Sequence, residues 1–95
     1  MTYITELQDV IKKLYESDST HVETVPVKEV FKGETIWDGE VEVFDLADHP
    51  ETTRVYAWAY DTDEGDKRHV TVLHIPPATT PENAVRASII SEYRK

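Results

Sequence analysis

The stretch EVEVFDLADHPETTRVYAWAYDTDEGDKRHVTVLHI, residues 40–75, decides the fold. Residues alternate in character with a period of two over 40–44 and again over 55–60. Residues 69–75 are rich in β-branched side chains. Such patterns are typical of strands in a sheet. The segments 47–50 and 61–66, which lie between them, consist largely of turn-forming residues. The stretch therefore predicts three consecutive strands in an antiparallel meander.

On either side of this stretch the apolar period lengthens to that of a helix. Residues 3–16 carry apolar side chains at spacings of three and four, which predicts an amphipathic helix there. Near the C-terminus, Thr80, Pro81 and Glu82 form the N-cap, first-position proline and first-turn acid of a second helix. Its expected apolar side consists of Ala84, Val85, Ile89, Ile90 and Tyr93.

Residues 22–37 leave two alternatives open, a further hairpin strand or a segment that covers the sheet. Pro26 restricts such a strand to the sheet edge, because proline has no N–H for the ladder, and Gly39 is a candidate β-bulge. No repeat or linker divides the chain. Residues 1–95 are therefore expected to form one α+β domain with an N-terminal helix, an antiparallel three- or four-stranded meander and a C-terminal helix.

The turns suggest a register in which Tyr60 pairs with His69 and Phe44 pairs with Tyr56. Both helices are then expected on one sheet face, because helices approach a sheet closely over small side chains and this face is wholly apolar. A shift of one residue would exchange the faces. The expected apolar face consists of Val41, Val43, Val55, Ala57, Ala59, Val70 and Val72.

The opposite face then combines aromatic side chains with carboxylates, and the helices leave it open. Because so aromatic a surface is seldom bare on a monomer, residues 22–37, a second copy or a foreign protein is expected to cover it. Aromatic rings and carboxylates both attract cations, so a foreign partner would present an Arg- or Lys-rich segment. The candidate partner-binding residues are Glu40, Glu42, Phe44, Tyr56, Trp58, Tyr60 and His69. The expected function is a protein-interaction or regulatory module.

The acidic residues are concentrated in the middle of the chain. Nineteen acidic and ten basic residues give a formal net charge of −9, and residues 29–66 alone carry −10, since only Lys32 and Arg54 oppose twelve acids there. Nucleic acid is not an expected partner, because its phosphates attract cations. The acidic segment instead allows an alternative function, a nucleic-acid mimic that inhibits a basic protein.

No membrane-spanning run or signal-peptide pattern is found, so a cytoplasmic location is expected.

No catalytic or metal-binding motif stands out. The histidines at positions 21, 49, 69 and 74 lack metal-ligand spacing, and the lack of cysteine excludes thiol nucleophiles and cysteine-based zinc sites. Residues 61–66 do not have the glycine and glutamate positions of an EF-hand loop. An acid–base enzyme that uses His49 or His69 is the least favoured hypothesis. We therefore expect no enzyme activity, no cofactor and no metal.

The order helix, three antiparallel strands, helix resembles that of the double-stranded-RNA-binding domain. Those domains hold phosphates with a lysine cluster at the start of the last helix. Here residues 80–84 read TPENA, without a lysine. The resemblance therefore implies a topology only, and RNA binding is not expected.

Overall fold

A computed structural model describes residues 3–93, except for the side chains of residues 92 and 93. Helix α1 (Tyr3–Tyr15) precedes four strands, β1 (Ser19–Phe31), β2 (Glu34–Leu46), β3 (Arg54–Asp61) and β4 (Lys67–Leu73), and helix α2 (Pro81–Tyr93) follows them. The strands form one antiparallel sheet in the order β1-β2-β3-β4. The α+β class, the two helices and the three- or four-stranded meander are thus confirmed, and the meander has four strands.

The fourth strand arises because residues 19–46 form one long hairpin. Strands β1 and β2 have 13 residues each and are joined by a tight turn, in which Lys32 and Gly33 both adopt positive φ, 51° and 81°. Pro26 lies in β1, at the sheet edge, as its missing N–H requires. The register is irregular near His21 and Val30, but Gly39 pairs regularly with Val27, so the predicted bulge at Gly39 is wrong.

The pairing of β3 with β4 differs from the expected register by one residue. Tyr60 pairs with Arg68 and not with His69. The physical reason lies in the connecting loop, which closes through the backbone N–H of Thr62 donating to the carbonyl of Asp66 over 2.7 Å. A polar loop of this kind allows neighbouring registers, and the packing of both strands selects one of them.

The pairing of β2 with β3 is displaced in the same way, since Phe44 pairs with Val55 and not with Tyr56. Because successive side chains of a strand point to opposite faces, this slip regroups the side chains. One face, which we call the Trp58 face, contains Val41, Val43, Tyr56, Trp58, Val70 and Val72. The other, which we call the Ala57 face, contains Phe44, Val55, Ala57, Ala59 and Leu73.

The two helices lie on opposite faces of the sheet, so the prediction that both cover one face is wrong. Helix α2 packs Ala84 and Val85 against the Trp58 face, and α1 packs Leu7 and Ile11 against the Ala57 face. The reason is that the observed register makes both faces apolar. Each face must then be covered, and each receives one helix.

Hydrogen bonds fix α1 on its face. The backbone N–H of Ala59 donates to the hydroxyl of Tyr3 over 2.8 Å, and the Tyr15 hydroxyl lies 2.8 Å from Thr71 Oγ1. Strand pairing between β2 and β3 reaches only to Glu42 and Ala57, whereas β1 and β2 stay paired to the turn. The outer half of the hairpin therefore extends past the paired part of β3, and α2 packs against the hairpin.

Candidate interaction surfaces

The structure does not bring the seven predicted partner-binding residues together on one open face. Tyr56 and Trp58 lie on the Trp58 face under α2 and are at most 3% exposed. Phe44 is fully buried against α1 on the other face, where Glu42 is 4% exposed. Only Glu40, Tyr60 and, in part, His69 reach solvent. Tyr56 and Trp58 are therefore covered within the chain by α2, whereas residues 22–37 do not fold over the sheet but form part of strands β1 and β2.

Trp37, which lies in the segment 22–37, covers part of the Trp58 side chain. The ring of Trp37 contacts the ring of Trp58 edge-on, with centroids 5.6 Å apart and planes at 74°. To reach it, the Trp37 ring lies across Gly39, and a Cβ at Gly39 would lie 3.2 Å from the ring. The missing side chain of glycine permits this close approach of the indole, which a Cβ would make tight. This contact joins the hairpin to the centre of the sheet.

The buried carboxylate of Glu42 is satisfied within the hairpin. Its Oε1 lies 2.9 Å from His21 Nε2 and accepts a hydrogen bond from the hydroxyl of Thr24. The ring of His21 also packs on Phe44, with centroids 5.3 Å apart. This group holds the base of the hairpin and leaves Glu42 with no surface for a partner.

His69 also forms its polar contact within the chain, with Glu6. Its Nε2 lies 2.7 Å from Glu6 Oε1 of α1, and Lys67 Nζ approaches the other oxygen of Glu6 to 3.3 Å. The hydrogen bond with His69 is the main cause that holds the pKa of Glu6 below its ordinary value, and Lys67 adds to it. These three side chains attach α1 to β4.

Tyr56 and His74 form a further polar contact near the opposite end of the sheet. The hydroxyl of Tyr56 lies 2.6 Å from His74 Nδ1, and burial raises the pKa of Tyr56. The carbonyl of His74 accepts a hydrogen bond from Thr52 Oγ1 over 2.9 Å. The hydrogen bond between Thr52 and His74 holds the β2–β3 loop against the end of β4.

Large apolar side chains gather instead at the far end of the hairpin. Val30, Phe31 and Ile36 of the hairpin and Ile90 of α2 are between 44% and 61% exposed. They line, with Ile89, one groove of about 420 Å³. We call these four exposed residues the hairpin-tip patch. Val30, Phe31 and Ile36 belong to the segment 22–37, for which the sequence leaves open a hairpin strand or a cover for the sheet.

An ion pair closes one side of the hairpin-tip patch. Arg86 of α2 donates to both carboxylate oxygens of Glu29 in β1, and this contact raises the pKa of the Arg86 guanidinium. The ammonium of Lys32 lies 5.5 Å from the centre of the Phe31 ring. The patch is therefore apolar in its middle and rimmed by charged side chains, an arrangement that protein interfaces share.

A second groove, of about 490 Å³, runs between β4 and α2. Val70 and Val72 of the strand and Ala87, Ser88 and Ser91 of the helix line it. Residues of the other face of β4, His69 and Thr71, line it as well, so it follows the outer edge of the strand. We call it the β4–α2 groove.

Metal-binding clusters and membrane-spanning helices are both absent from the described residues, 3–93. No group of three or more His, Asp or Glu side chains is placed to hold a metal ion there. Neither of the two helices has the length and hydropathy of a membrane-spanning segment.

Comparison of the chain with models of known protein families, with curated proteins and with solved structures gives no match.

Proposed function

We propose that the protein is an interaction module that binds another protein at the hairpin-tip patch. The observation that carries the proposal is the clustering of four large apolar side chains, each about half exposed, around one groove. Single exposed apolar residues are ordinary on protein surfaces, whereas a contiguous group marks a contact site. Phe31, the most exposed of the four, is the natural central anchor.

The position of the patch supports this role. The outer half of the hairpin extends past the paired part of β3, so the patch lies on a projecting element that a partner can approach from several directions. Its geometry is nevertheless held by the Arg86–Glu29 ion pair and by the packing of Ile89 on the core. A surface that is already ordered loses little conformational entropy on binding.

The charges beside the patch indicate the chemistry of the partner. Glu34, Asp38 and Glu40 are exposed along β2, where that strand has no β3 neighbour. They belong to the segment 29–66, which carries −10. The partner is therefore a protein segment with apolar side chains for the patch and Lys or Arg residues for the adjacent acids.

The test is retention of partners from an extract of the source cells by three immobilised forms of the chain. These are the unchanged chain, the patch variant Phe31→Ser with Ile90→Ser, and a control, Leu14→Ser with Val22→Ser. Leu14 and Val22 are also large, apolar and at least 42% exposed, but neither lines the patch. A protein that binds at the patch is retained by the unchanged chain and by the control, and binds the patch variant at least tenfold more weakly.

Equal retention by the patch variant would contradict the proposal, as would the failure of all three forms to retain any protein. Retention that persists in the patch variant but falls steeply with salt, and is lost in Glu34→Gln with Asp38→Asn, would favour the acidic nucleic-acid mimic instead.

A further inference from the structure

The two edges of the sheet differ in how they are protected against pairing with another strand. Edge strand β1 contains Pro26, two register irregularities and the charged side chains of Glu23 and Lys28. Proline, bulges and charges are the devices by which natural sheets prevent edge-to-edge association. Edge strand β4 pairs with β3 over seven consecutive residues without a register shift, and it contains no proline and no glycine. The charges of β4, Lys67 and Arg68, lie at one end of the strand, so residues 69–73 carry none of these devices.

The outer edge of β4 is also unoccupied in the described part of the chain. Strand β4 is the last of the sheet and pairs only with β3. No backbone hydrogen bond between described residues outside the helices and the sheet reaches residues 67–72. An extended strand with one free row of N–H and C=O groups is a template for a further strand.

There is room beside this edge for the side chains of an added strand. The β4–α2 groove follows the outer edge of β4, and its helical wall consists of the small side chains Ala87, Ser88 and Ser91. On the other face, His69 and Thr71 are hydrogen-bonded to α1, which holds β4 in place. An added strand would extend the sheet and insert every second side chain into the groove.

The sequence of β4, KRHVTVL, fits a second copy of itself in the antiparallel direction. If the pairing is centred on Val70, Arg68 of one copy lies opposite Val72 of the other, and Lys67 lies opposite Leu73. Each cation then faces an apolar residue, whereas a parallel pairing in register would place the same cations against each other, which is unfavourable. Strand β4 contains no acidic residue, so the carboxylates that give the chain its net charge of −9 lie outside this strand.

We propose that two copies of this chain associate through antiparallel pairing of their β4 strands, which joins the two sheets into one. The interface is isologous, as expected for a two-fold dimer. It is separate from the hairpin-tip patch, so this proposal and the proposed function can fail independently. A dimer of this form carries two hairpin-tip patches.

The chain has no cysteine, so a single introduced cysteine reports on the contact between copies. Under mild oxidation, Val70→Cys is expected to form a disulfide-linked dimer, because residue 70 lies opposite itself. A mixture of Arg68→Cys and Val72→Cys is expected to give the linked heterodimer in preference to either homodimer. Lys28→Cys, exposed on the edge strand β1, is the matched control and is expected to form no disulfide-linked dimer.

Sedimentation equilibrium of the chain without cysteine provides the second measurement. The unchanged chain is expected to show a monomer–dimer equilibrium that tightens as salt screens the repulsion between the acidic copies. Ser88→Arg fills the β4–α2 groove without changing the strand and is expected to weaken dimerisation at least tenfold, while Phe31→Ser leaves it unchanged. A chain that stays monomeric at millimolar concentration, or cross-links better through Lys28→Cys than through Val70→Cys, would overturn the proposal.

Discussion

The carboxylate of Glu42 illustrates how single residues set the stability of this fold. It is buried on the Ala57 face, yet its Oε1 contacts both His21 and Thr24. Buried polar groups are tolerated when they are hydrogen-bonded and costly when they are not. The alternation of Glu40 and Glu42 with valine made both acids look like surface residues, although only Glu40 is one.

Replacing Glu42 by alanine is expected to lower the free energy of unfolding by about 1–3 kcal/mol, because His21 and Thr24 lose their acceptor. Urea unfolding followed by circular dichroism measures the change. Glu40→Ala, at the exposed position two residues earlier, is the matched control and should stay within about 0.5 kcal/mol of the unchanged chain. Equal losses in both variants would show that the contacts of Glu42 contribute nothing specific.

A pH effect is expected from Glu6. Its pKa is held below the ordinary value in the folded state, mainly by the hydrogen bond with His69. A group with a depressed folded pKa stabilises the fold above its unfolded pKa, about 4.3 for glutamate. This stabilisation is lost as the pH falls through the lower, folded pKa. Glutamine at position 6 cannot titrate, so it removes this contribution.

The free energy of unfolding of the unchanged chain, measured in urea at several pH values, should therefore fall more steeply below pH about 4.3 than that of Glu6→Gln. Asp9→Asn, which changes an exposed acid of the same helix, is the control and should retain the slope of the unchanged chain. Parallel curves for the unchanged chain and Glu6→Gln would contradict the role assigned to Glu6.

At the scale of elements, the hairpin depends on the crossing of Trp37 over Gly39. Gly39→Ala places a Cβ 3.2 Å from the indole ring and is expected to displace it, at a cost of about 1–3 kcal/mol in the free energy of unfolding. The chain has two tryptophans, at 37 and 58, and they contact each other, so the fluorescence spectrum should change as well. Thr35→Ala, exposed on the same strand, should change neither quantity. An unaltered spectrum in Gly39→Ala would count against the contact.

The sheet itself provides a comparison of two aromatic residues. Trp58 is 3% exposed under α2, and Phe31 is 61% exposed at the hairpin tip. Trp58→Ala is expected to reduce the free energy of unfolding by about 3–5 kcal/mol, because it leaves a cavity in the core. Phe31→Ala should change it by less than about 0.5 kcal/mol. Thermal and urea unfolding of both variants measure the difference. A small loss for Trp58→Ala would mean that the Trp58 face is open to solvent.

At the scale of the whole molecule, the charge layout sets how stability responds to salt. The net charge of −9 disfavours the compact state through self-repulsion, and added salt screens that repulsion. The free energy of unfolding should therefore rise from low to physiological salt. Asp63→Asn with Glu64→Gln, both exposed in the β3–β4 turn, should be more stable at low salt, by less than about 1 kcal/mol, and should gain less from salt. Urea unfolding across a salt series measures this effect. A free energy of unfolding that falls as salt is added would contradict the prediction.

Much of the architecture could be predicted from local patterns in the sequence. The bounds of α1 agree to within a residue with its apolar spacing, and Pro81 marks the start of α2. The candidate site could not be predicted in the same way, because it required knowing which strands face each other at which residue. The displacement of β3 by one residue against both β2 and β4 placed Tyr56 and Trp58 on the face that α2 covers, and so in the core.

The helices and strands, their order and the concentration of acids in the middle of the chain all follow from local sequence. Periodicity, proline and turn residues act over a few neighbouring positions, so their effect does not depend on the rest of the fold. The strand register, the placement of one helix on each face, and the exposure of Phe31 and Ile90 at the hairpin tip emerge only from the folded chain. These follow from packing between residues far apart in the chain. Strand β3 has apolar side chains on both faces, so its local sequence pattern is compatible with burial of either face or of both. The packing of the two helices determined which face of β3 lies against α1 and which against α2.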